Sequence, residues 1–283
     1  MTEQVELSRR QAVGLRARPV GARRSAALLR TPLGRRVVVL AALAAIWQAA
    51  AILADNPMLL PSFTQTADAL WDALAHENLA QSAAASILVL LKGYGLAVAI
   101  AAVLVSFATV SPLLREALLT LTAMFNPLPA IALLPLAMLW FGLGENSLIF
   151  VLVHSVLWPF ALATFTGFQA VPDAHRLVGR NYGLRGARYI AYILVPSALP
   201  SVISGLKIGW AFAWRTLIAA ELVFGVSASR GGLGWFIFRN RNELFTDKVF
   251  AGLVTVIMIG LVVEFGLFRA LEAATVRRWG MQR

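Results

Sequence analysis

The chain has no cysteine, and of its 25 basic residues only three, Lys92, Lys207 and Lys248, are lysine. The first absence removes disulfides, thiolate metal sites and cysteine nucleophiles. The second removes a nucleotide-binding P-loop, which needs Gly-Lys-Ser/Thr, because none of the three lysines follows a glycine. Metal-binding His/Glu spacing and a Gly-x-Ser-x-Gly elbow are missing as well, so a membrane-embedded enzyme has no chemistry to work with. Charge of either sign is scarce. Charged residues make up 14% of the chain against 59% hydrophobic, and a mean hydropathy of +0.74 lies outside the range of soluble domains. The composition is that of an integral all-α membrane protein.

A spanning helix needs about 20 mainly apolar residues, and six segments qualify: 37–54, 87–110, 114–141, 147–169, 200–224 and 249–271. Around them the chain divides into a basic tail (1–36), a first span (37–54), an outer interfacial segment (55–86), a core (87–271) and a second tail (272–283). Placing both termini in the cytoplasm puts 17 basic residues in inner segments and 4 in outer ones, as the positive-inside rule requires. The net charge of +11 therefore follows topology and gives no sign of nucleic acid. Arg9 and Arg10 form a twin arginine, but further arginines precede any apolar run, so the tail reads as a juxtamembrane segment facing lipid headgroups. In the outer segment, Leu70, Trp71 and Leu74 oppose Asp68, Asp72 and Glu77. That spacing predicts a short amphipathic helix, either interfacial or a packed linker.

The third span is apolar yet carries Pro127, Pro129 and Pro135. Each proline inside a helix removes a backbone hydrogen bond and costs about 3 kcal/mol. Irregular backbone at membrane depth is tolerated where it is buried in protein or lines a polar path, and transport proteins build sites from such broken spans. The three prolines are therefore candidates for a pathway or gate, with a packing kink as the plainer alternative. In the fifth span, at about 100° per residue, Lys207, Trp210, Trp214 and Glu221 share one narrow face and Arg215 lies about 80° away. Charged groups inside a span face protein or water, so these four are pathway candidates too. The alternative is structural, with Lys207 snorkelling inward and Glu221 at the outer surface. His154, in the fourth span, fits a helix contact better than a ligand, and Glu264 and Arg269 sit near the inner end of the sixth.

Between spans four and five, residues 171–196 form the most informative polar segment. Pro172 and Asp173 signal a helix start, Gly183 suits a left-handed stop, and Pro196 ends a second short helix. Arg176 and Arg180 fall on one side of the first helix, with Arg185 and Arg188 beyond the turn. Four arginines in an inner loop are also simply topogenic. A loop that only reverses direction is far shorter, so the segment predicts a docking partner.

Here the sequence resembles the permease subunits of binding-protein-dependent ABC importers. Their inner loop carries Glu-Ala-Ala, three residues, Gly, nine residues, then Ile-x-Leu-Pro. Gly183 is followed after nine residues by Ile193-Leu194-Val195-Pro196, while Leu177, Val178 and Gly179 replace Glu-Ala-Ala. The segments "NPLPAIALLPLAMLWFGLGEN", "LLPSF", "AWRTLIAAELVFG" and "GGLGWFI" are similar to signatures of the nitrate, sulfonate and taurine type. One departure is Val89 where the family has arginine, with Ser86 before it and Lys92, Gly93 and Tyr94 after. The resemblance covers roughly residues 57–280. It implies a type I importer permease fold in the inner membrane, with Asp173, Arg176, Leu177, Val178, Gly179, Arg180, Gly183 and Pro196 as the coupling segment to a separate ATPase. Arg176 and Arg180 are then expected to meet acidic residues at the ATPase rim. ATP and Mg would sit on that partner, with no cofactor in this chain. An extracytoplasmic binding protein would deliver a small anionic solute, and a second permease chain would complete the path. A secondary transporter or channel would more naturally show an ionisable set for ion coupling or paired half-repeats, and neither is evident.

Overall fold

The computed structural model describes residues 31–224 and 231–277. The expected basic tail, up to residue 30, lies outside the described residues, as do 225–230 and the end of the second tail, 278–283. Every described element is helical. Residues up to Thr64 form one unit and Gln65 onward a second.

In the first unit, α1 (Pro32–Ala54) starts where Thr31 accepts the Gly34 amide at 3.0 Å and Pro32 occupies the first turn, a position where a missing N–H costs nothing. Its indole Trp47 donates to the Pro61 carbonyl at 3.0 Å and meets the Phe63 ring edge-on. The chain after the helix is thereby folded back on its last turns.

The second unit holds the remaining spans. The amphipathic helix expected in the outer segment is α2 (Phe63–His76). Its buried side consists of Thr66, Ala69 and Ala73, while Trp71 and Leu74 point outward. α3 (Leu79–Val110) begins before the apolar run that marked the second span. α4 (Pro112–Phe125) leads into the proline segment, where a single 3₁₀ turn (Ala130–Leu133) precedes α5 (Leu134–Phe141). Pro127 and Pro129 occupy the gap, and Pro135 sits in the first turn of α5, where a proline is tolerated. The third span is thus bent by 88°, well beyond a packing kink.

α6 (Glu145–Gln169) is followed by α7 (Asp173–Asn181), then by α8 (Gly186–Ser197), which turns through 82° into α9 (Leu199–Phe224). Pro196 therefore lies one residue before the corner and not at the helix end itself. α10 (Leu233–Asn242) and α11 complete the chain, α11 beginning as a helix over Thr246–Val262 and passing through π turns at Val263–Phe268 and Ala273–Arg277. Four helices are long and apolar enough to cross a membrane, and six if each bent pair counts as one. The fifth qualifies only as a pair because Lys207, Arg215 and Glu221 dilute the apolar run of α9.

α6 is the central post of this unit. Of its apolar window 56% is buried, against 28% for α3 and 11% for α11. Lipid gives no hydrophobic drive between helices, so close contact rests on small residues. Gly93 of α3 lies so near α6 that a Cβ would stand 2.7 Å from that of Leu152, and one on Gly205 of α9 would stand 2.9 Å from that of Ala163.

Candidate functional site

Three regions gather the residues that the sequence singled out. The first is the inner segment. Pro172 precedes α7, and Gly183, with φ of +68° and open space around it, makes the left-handed stop. Glycine adopts that conformation without the steric penalty a Cβ brings. Gly179 has the opposite constraint: it is buried, and a Cβ there would meet Ile193 at 2.8 Å and Tyr189 at 2.9 Å across α8. The pair α7 and α8 is therefore held at close range by one glycine and turned by the other. The outward side of α7 is apolar at Leu177 (55% exposed), Val178 (48%) and Tyr182 (81%), with exposed Asp173 and Arg180 beside them.

Arg176 does something that spacing did not reveal. Its Nη2 donates to the Phe168 carbonyl at 2.6 Å and more loosely to Gln169, and its Nε donates to Val171 at 3.1 Å. These are the carbonyls that a helix leaves unpaired at its C-terminal end, where positive charge is also favoured. The guanidinium is thus the cap of α6, turned inward and away from any rim. Arg180 makes no ion pair among the described residues.

The second region is the shared face of α9. Lys207, Trp210, Trp214 and Glu221 do lie together, and the face packs into the chain. Lys207 pairs with Glu272 at 2.7 Å and Glu264 at 3.4 Å on the last helix. Trp210 sits between the rings of Tyr94 and Phe268, and the Trp214 indole donates to the Val256 carbonyl at 3.3 Å. Glu221 is fully buried. It accepts the Ser86 hydroxyl at 2.8 Å and the Gly234 amide at 2.8 Å, while the Ser86 oxygen accepts the Leu233 amide, also at 2.8 Å. Those amides open α10, so a carboxylate and a hydroxyl from two distant helices satisfy donors that no residue of the helix itself could reach. The glycines of "GGLG" follow from this contact: a Cβ on Gly232 would run into the Glu221 carboxylate, and one on Gly234 would lie 2.6 Å from its Cβ.

The third region is a cavity of about 350 Å³ at the break of the third span. Pro127 and Pro129 line it, with His154 and Trp158 from α6 and Arg215 from α9. Pro135 is not among the lining residues. The cavity wall on α9 is thus the Phe212–Arg215–Ala219 side, about 80° round from Lys207. No group of acidic or histidine side chains suited to a metal occurs among the described residues.

Residues 93–276 match the family described as binding-protein-dependent transport system inner membrane component. The taurine transport system permease protein of Escherichia coli (strain K12) is 32% identical over 259 residues, 86% of this chain and 90% of that protein. The nitrate import permease protein of Synechocystis sp. is 31% identical over 154 residues, 54% of each chain.

Proposed function

The chain belongs to the binding-protein-dependent transport inner membrane component family, and on that premise we propose that it is the membrane-spanning subunit of an ATP-driven importer for a small anionic solute. The observation that carries the reading is the inner pair α7 and α8, with an apolar outward side on a short, charged helix. An exposed apolar patch rimmed by polar residues marks a protein contact, and this one lies in the inner segment that the arginine distribution assigns to the cytoplasm. Its partner in this reading is an ATPase subunit, which carries ATP and Mg. Leu177 and Val178 make the contact and Arg180 meets acidic groups at its rim.

An extracytoplasmic binding protein supplies the solute, and two copies of this chain enclose the path, with both termini in the cytoplasm. The names of the relatives, taurine and nitrate permeases, support an oxoanion as the solute. Reconstitution tests the whole assignment. Proteoliposomes holding the chain, its ATPase and the binding protein should take up labelled taurine or nitrate only with ATP. Uptake by the chain alone would overturn the reading in favour of a channel or secondary transporter.

A further inference from the structure

The cavity at the broken third span holds an unusual set of polar groups. Arg215 is exposed on the surface of a spanning helix; its Nε donates to the Ala211 carbonyl at 3.0 Å and its carbon lies 4.9 Å from the Phe212 ring centre. It has no ion pair among the described residues. A cation inside a span without a carboxylate faces water or a ligand. Across the cavity, both ring nitrogens of His154 and the indole nitrogen of Trp158 are buried without a hydrogen-bond partner. Buried polar atoms are almost always paired, so three unpaired ones along a cavity wall call for a reason.

Their cover is Phe125. Its ring stacks on Trp158 at 5.1 Å between centres and meets His154 edge-on at 6.1 Å. Phe125 is the last residue of α4, directly before the gap that holds Pro127 and Pro129. Movement at the break would therefore shift this ring before any other part of the span. The lining includes no aspartate or glutamate, so the electrostatics favour a negative occupant.

We propose that this cavity is a subsite for a small oxoanion, bound by the Arg215 guanidinium and, once Phe125 is displaced, by N–H groups of Trp158 and His154. The identity of the occupant as the transported solute rests on the importer reading above; the anion preference does not.

The absence of cysteine makes the test direct. Thr216 lines the cavity beside Arg215, and Thr216→Cys would be the sole thiol of the chain, copurified with its ATPase in lipid nanodiscs. Its rate with the anionic sulfonatoethyl methanethiosulfonate is compared with the cationic trimethylammonioethyl reagent, using Asp68→Cys on the exposed surface of α2 as reference. The anionic-to-cationic ratio at position 216 should exceed the reference by about tenfold, fall at least about fivefold with Arg215→Gln, and be retained with Arg215→Lys. Millimolar ethanesulfonate should slow the reaction at position 216 and not at position 68, and Trp158→Phe, which keeps the ring stack and removes the N–H, should weaken that protection. A ratio equal to the reference, one that Arg215→Gln leaves in place, or a thiol that neither reagent reaches would overturn the subsite. Loss of the importer reading would appear separately, as a preparation from which the ATPase is absent.

Discussion

Ser86 and Glu221, 135 positions apart in the chain, share a buried hydrogen bond of 2.8 Å, and between them they hold the first two amides of α10. The pair explains two sequence signatures at once, because "AAELVFG" supplies the carboxylate and "GGLGWFI" the amides it receives. Leaving a buried donor or acceptor unmade costs about 1–3 kcal/mol. Ser86→Ala and Glu221→Ala should both lower the thermal midpoint of the purified protein in detergent, Glu221→Ala more. Glu221→Gln, which keeps one acceptor oxygen, should fall between Glu221→Ala and the unaltered chain. A midpoint for Ser86→Ala equal to that of the unaltered protein would show that the latch contributes nothing.

At the turn between α7 and α8, Gly183 and Gly179 answer to different tests. A β-branched side chain at the left-handed position 183 adds strain of about 1–2 kcal/mol and redirects α8, whereas asparagine is accepted there. Gly183→Val should lose the ATPase on purification, or retain it with hydrolysis no longer linked to uptake. Gly183→Asn should keep both. At Gly179 any larger residue, asparagine included, should be disruptive, since the obstacle is Ile193 and Tyr189 and not backbone angle.

The two arginines of α7 should separate by salt. Arg176 is committed to the carbonyls at the end of α6, where hydrogen bonds from a charged donor contribute about 1.5–3 kcal/mol. Arg176→Ala should therefore lower thermal stability at any ionic strength. Arg180→Ala should leave the midpoint in place and slow association with the ATPase, most visibly at low salt. The same salt dependence for both variants would contradict the cap.

Orientation can be read from single thiols. Cysteines at Asp68 and Arg185, both exposed, should react with impermeant reagents applied from opposite sides of the membrane. Labelling from one side would remove the topology that places both termini in the cytoplasm.

Much of this was legible locally. Prolines at 127, 129 and 135 announced the break, and Gly183 announced its turn, because each acts on its own backbone within a few residues. The common face of Lys207, Trp210, Trp214 and Glu221 was equally readable from helical period. What period cannot say is which neighbour a face meets. That depends on how α9 is rotated against α3, α6 and α11, and the rotation that buries those four residues is the one that turns Arg215 to the cavity. His154 escaped notice for a related reason: its unpaired nitrogens matter only beside Phe125 and Trp158. Arg176 had a weak signal, being a basic residue shortly after the end of an apolar helix, a position from which such side chains cap carbonyls.

The π turn at Val263–Phe268 bears on how this chain tolerates changes of length. A π turn closes its hydrogen bond over one residue more than an α turn, so it works as a one-residue insertion absorbed within a continuous helix. Deleting Gly266 would restore regular winding there and turn everything after it by about 100°. Glu272 lies after that point and Glu264 before it, so the deletion would carry one carboxylate away from Lys207 and leave the other. The register of the final helix, and not the presence of its acidic residues, sets whether Lys207 is held from both sides.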